Sequence, residues 1–123
     1  MKKGYYLTYG FLSKDLHKAV NFIEKKIRIN LDSENVYDDE LYILGENNRG
    51  NFPIIDNFTI HNNFGNSYFK EDGTTVKDVN YLISCNIVSG SEDLKNESIE
   101  YVRKELLHLE ELIELNFDFN EWE

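Results

Sequence analysis

Residues 79–88 read Val-Asn-Tyr-Leu-Ile-Ser-Cys-Asn-Ile-Val, and their alternation constrains the fold more than any other stretch. Val79, Tyr81, Ile83, Cys85 and Ile87 share one face of a strand, and Asn80, Leu82, Ser84, Asn86 and Val88 share the other. The first face is wholly apolar and the second mixed. Such a strand belongs in an antiparallel sheet with helices over one side.

Two segments supply the helices. Leu16, Ala19, Val20, Ile23 and Ile27 recur at helical spacing, with Lys14, Lys18, Lys25 and Arg28 on the opposite, solvated face. Ser13 is placed as the N-cap, with Asp15 in the first turn. Ser89, with Glu92 three residues on, reads as the capping box of a second helix that runs to about residue 113. Its stripe is Ile99, Val102, Leu106, Leu109 and Ile113, little more than two heptads, which favours burial on the sheet over a coiled-coil seam.

Further strands are expected at 4–12, 41–44 and 54–60, and on both sides of Glu71-Asp72-Gly73, a hairpin signal because its turn needs positive φ angles. The acidic stretch 32–40 and the Gly- and Asn-rich stretch 45–53, which ends in Pro53, read as loops. Asn47, Asn48, Asn51, Asn57, Asn62, Asn63 and Asn66 crowd one region, a bias that A/T-rich codons also produce. Leu115, Phe117 and Phe119 alternate with Asn116, Asp118 and Asn120, as a short last strand or a docked tail. With 123 residues, 41% of them hydrophobic, the chain has enough for one core. The expectation is a single α+β domain over 1–123: a mostly antiparallel sheet of four or five strands with two amphipathic helices packed on one face.

No stretch approaches the roughly 20 apolar residues of a membrane span. The start, Met1-Lys2-Lys3-Gly4-Tyr5-Tyr6, makes a poor signal peptide. Cys85 is the only cysteine and fits a reducing compartment, so a cytoplasmic location is expected.

Charge is unevenly placed. Residues 1–30 hold seven bases against Asp15 and Glu24, a net of +5, whereas 31–91 carry −7 and 92–123 carry −8. The total of −10 disfavours direct binding of nucleic acid, which needs bases to displace counterions. It suits solubility, or steering toward a basic partner.

Motifs for chemistry are missing. Gly45, Gly50, Gly65, Gly73 and Gly90 are dispersed and fit no phosphate-binding pattern. Glu105 and His108 match half of a di-metal Glu-x-x-His arrangement, but a second pair is absent, so with Glu111 they read as an exposed helix face. Cys85 falls on the apolar strand face and is expected to be inert, and His61 is expected to be solvated. No catalytic residue, metal ligand or cofactor is assigned. Two acidic and aromatic clusters remain as candidate partner-binding surfaces. One joins Glu110, Glu111, Glu114 and Asp118 to Trp122; the other joins Tyr37 to Asp38, Asp39 and Glu40. Trp122 is equally readable as a docked plug or an exposed anchor.

In size, acidity and architecture the chain resembles bacterial immunity proteins, the cognate inhibitors of contact-dependent growth inhibition and polymorphic-toxin systems. The resemblance implies a one-to-one complex with a basic toxin domain, a nuclease, whose active site the inhibitor covers. A monomer or weak homodimer is expected. The competing readings are a phage-type nucleic-acid mimic that inhibits a defence enzyme, an enzyme using His61 or a carboxylate pair, and a structural subunit.

Overall fold

All but the last residue, Val88, of the alternating stretch lies within a longer strand, β5 (Thr75–Ile87), where Ile83, Cys85 and Ile87 are fully enclosed. This computed structural model describes residues 2–48 and 51–123. Met1 lies outside the described residues, as do Arg49 and Gly50, which fall in the segment read as a loop. Around β5 run β1 (Lys2–Phe11), β2 (Leu31–Asp32), β3 (Glu40–Leu44), β4 (Asn57–Phe69) and β6 (Leu112–Trp122). They form one antiparallel sheet in the order β2-β3-β4-β5-β1-β6. The sheet thus has six strands, not four or five. Leu31 and Asp32 pair with Leu44 and Ile43 as a two-residue edge, and the expected tail is a full strand of 11 residues. The strand expected at 54–60 and the one before Glu71 are parts of a single long strand, β4, which begins only at Asn57 and ends at Phe69.

Register explains the core. Leu7 faces Cys85 and Tyr9 faces Ile83 on one side of β5, while Phe58 faces Cys85 and Ile60 faces Ile83 on the other. These side chains meet Ala19, Val20, Ile23 and Ile27 of α1 (Leu16–Ile27) and Ile99, Val102 and Leu106 of α2 (Glu92–Leu106) in one apolar cluster. Val79 departs from the expected face. Its Cγ1 and the Cδ1 of Leu115 lie 3.0 and 2.9 Å from where a Cβ on Gly10 would stand. That direction is opposite to Tyr9 and Phe11. The β4–β5 register is irregular beside it, between Asn62 and Asn66, and Asp78 takes a positive φ.

Both helix caps are shifted by two residues. Asp15, not Ser13, accepts from the Lys18 amide at 3.3 Å, while Ser13 Oγ accepts from the Asp15 amide. Ser91, not Ser89, accepts from the Leu94 amide at 3.2 Å. Helix α2 stops at Leu106 instead of continuing to 113. Arg103 and Lys104 occupy its last turn, where cations suit the carbonyl end; Glu110 and Glu111 would oppose it there. Leu112 and Leu115 bury instead as β6 pairs along β1, where Phe117 lies opposite Leu7 and is partly buried, and Phe119 lies opposite Tyr5 but stays 52% exposed.

Candidate functional site

Strands β4 and β5 outrun their neighbours. Pairing of β3 to β4 ends at His61, and pairing of β1 to β5 ends at Tyr81. Beyond those points residues 63–80 pair only with each other, as a two-stranded arm leaving the sheet. The Asp-Gly turn forms its tip, as the sequence signal requires. Lys70 N donates to Thr74 O at 2.9 Å, Asp72 Oδ1 accepts from the Thr74 amide and hydroxyl, and Gly73 takes φ +90°. At the base, Phe64, Gly65 and Asp78 all take positive φ, and Asn63 Nδ2 donates to the carbonyls of Asn66 and Val79. This bulged base turns large aromatics outward: Phe64 is 73% exposed and Phe69 77%.

The acidic turn 37–40 is fastened to the same base. Asn62 N donates to Asp39 O at 3.1 Å, and His61 Nδ1 lies 3.5 Å from Asp39 Oδ1. Glu40 Oε1 accepts from the Tyr37 amide, and Asp38 takes φ +52°. Tyr37 is left 78% exposed. Tyr37, Asp38, Asp39 and Glu40 are therefore brought together, and the fold adds Phe64 and Phe69, two residues that the sequence reading passed over. The Asp-Gly signal located the turn. Only the strand ends of β1 and β3 reveal that, among the described residues, no further strand pairs with the hairpin beyond them.

The other cluster is dispersed. Glu110 and Glu111 fall in the turn after α2 and Glu114 lies in β6, so they share no helix face. Glu111 accepts from Lys18 Nζ at 2.6 Å. Glu114 takes two hydrogen bonds from Arg103, at 2.9 and 3.2 Å, and the Arg103 guanidinium lies 4.0 Å from the Phe117 ring centroid. The expected exposed face of Glu105, His108 and Glu111 is likewise broken, since His108 lies past the helix end and Glu105 is half-buried. Glu110 and Asp118 remain exposed.

Trp122 is partly docked and partly exposed, at 39%. Its ring lies against Gly4, where a Cβ would come within 3.1 Å, and 5.4 Å from Lys95 Nζ. Lys95 is itself buried, and donates to Lys3 O at 2.6 Å while pairing with Glu92 at 2.7 Å.

Burial pushes the Cys85 thiol up to about 12, so it is protonated at neutral pH. Among the described residues, no three His, Cys, Asp or Glu side chains are gathered as metal ligands, and no helix is long and apolar enough to cross a membrane. No protein-family model, curated protein or solved structure matches the chain.

Proposed function

We propose that this chain is a protein-binding module of the immunity type, which neutralises a basic toxin domain with nuclease activity by covering its active site. The arm and the acidic turn beside it are the contact surface. The observation that carries this reading is the trio of exposed aromatics, Tyr37, Phe64 and Phe69, on and beside an arm that, among the described residues, pairs with no further strand. Interfaces anchor on buried aromatics, and charge around them steers and orients the partner. Here Asp38, Asp39, Glu71 and Asp72 supply that charge. The arm is the right shape to enter a cleft, since it projects beyond both neighbouring strands. The inhibitor would work in the cytoplasm, where the toxin acts.

The test is coexpression with the toxin domain encoded beside this gene, followed by surface-binding kinetics on the purified pair. Rescue of growth and a one-to-one complex are expected. Phe64→Ser combined with Phe69→Ser should abolish rescue while leaving the thermal melt unchanged. Failure of the wild-type chain to rescue or to bind would end the proposal.

A further inference from the structure

Three cations converge where α1 ends. Lys25 and Lys26 in its last turn and Arg28 just past it line a cavity of about 390 Å³ with Phe52, Tyr101 and Glu105. That volume lies within the ordinary range of ligand pockets. In a chain of net −10 such a concentration of positive charge is unexpected.

Internal pairing does not account for it. Among the described residues, none of the three cations has a carboxylate within ion-pairing distance. Glu24, close by in sequence, turns its Oε2 to the Leu31 amide at 3.0 Å. Lys25 and Lys26 suit the carbonyl end of the helix, but Arg28 lies beyond it. Arg28 also holds φ +63° and ψ +46°, with its amide donating to Glu24 O at 3.1 Å. That left-handed cap position favours Gly or Asn, so the guanidinium stands there against backbone preference.

The aromatic wall is fixed. Tyr101 donates its hydroxyl to Lys26 O at 2.6 Å, which ties α2 to the end of α1. Phe52 packs on Tyr101 with ring centroids 5.4 Å apart and stays 48% exposed. A planar group can therefore lie on Phe52 while its anionic end meets the three cations.

We propose that this cavity binds a nucleoside phosphate. Arg28 offers its planar fork to two phosphate oxygens, Lys25 and Lys26 supply point charges, and the base stacks on Phe52. The phosphates are held by side chains and not by the backbone amides of a glycine-rich loop, which is why no such loop is needed.

Titration calorimetry at low salt with ADP, pyrophosphate and adenosine tests the site. ADP should bind one-to-one, pyrophosphate more weakly, and adenosine without detectable heat. Arg28→Gly is the decisive variant, because Gly suits the left-handed cap and its thermal midpoint should not fall. It should weaken both ADP and pyrophosphate by about tenfold, the loss of one strong charge-assisted contact. Phe52→Ala should bring ADP down to the affinity of pyrophosphate and leave pyrophosphate unchanged. Absence of saturable ADP binding at millimolar concentration, or unchanged affinity in Arg28→Gly, would overturn the site. Equal wild-type affinities for ADP and pyrophosphate would overturn its assignment to a nucleoside.

Discussion

Tyr9 is buried to 1% exposure, and its hydroxyl closes no hydrogen bond of good geometry among the described residues, with Arg103 the one side chain placed to approach it. Burial first, then the charge of nearby Glu114, pushes its ionisation well above the ordinary tyrosine range. A buried hydroxyl without a well-formed hydrogen bond is a cost, so Tyr9→Phe should leave stability unchanged or raise it by about 1 kcal/mol in urea unfolding. A clear loss would show that the hydroxyl has a partner. Asp56 is the opposite case. Burial acts to raise its carboxyl, but the Ser89 hydroxyl and the amides of Val88 and Ser89 outweigh it and hold the group below its usual range. A depressed folded value means that the stabilisation is present above the unfolded value of about 3.9 and is lost as pH falls through the folded one. Asp56→Asn should therefore be less stable than wild type at pH ~7, and the gap should close in acid; urea melts across that window measure it.

Among the elements, the two faces of α1 were legible from spacing alone. Ile23→Ala should cost about 2–5 kcal/mol, because Ile23 is fully buried, and Asn21→Ala on the exposed face should stay within about 0.5 kcal/mol. Reversal of that order in denaturant titrations would show that the helix phase is wrong. The inward residues of β5 from Tyr81 to Ile87 and the Asp-Gly turn were equally legible, since period and turn chemistry are local. Three features were not. The end of α2 depends in part on where β1 offers a second edge, because Leu109 and Ile113 continue a helical stripe that the pairing of β6 interrupts. The face taken by Val79 lies where the β4–β5 register is irregular, which strand period does not foretell. The exposure of Phe64 and Phe69 depends on how far β1 and β3 reach. The asparagine bias, readable as genomic, includes side chains with structural roles: Asn48 donates to the carbonyls of Asn30 and Gly45, and Asn63 braces the arm. Replacing Phe64 or Phe69 by Ser should leave the melt unchanged and cost about 2 kcal/mol or more in binding, carried by a faster off-rate in surface-binding kinetics.

For the whole molecule, association with a basic partner should be fast at low salt and slow as salt screens charges more than about 8–10 Å apart. Asp39→Lys with Glu71→Lys, at the acidic turn and the arm, should slow association more than Glu110→Lys with Asp118→Lys. Stopped-flow rates for the two pairs would rank the surfaces, and equal rates with no salt effect would reduce the charge to solubility. Reversing Glu111 or Glu114 is a poor probe, since each would place a cation beside the cation it now pairs with. The sheet order has a consequence for synthesis. β1 lies between β5 and β6, and Lys2 faces Trp122, so β1 is completed by strands that follow it far along the sequence. At ribosomal speeds of roughly 5–20 residues per second, β1 waits on the order of several seconds before β5 exists to meet it. Throughout that interval Tyr5, Leu7, Tyr9 and Phe11 belong to a strand with neither edge satisfied, a template for pairing with other nascent chains. The yield of soluble protein is thereby tied to how quickly the ribosome delivers the second half of the chain.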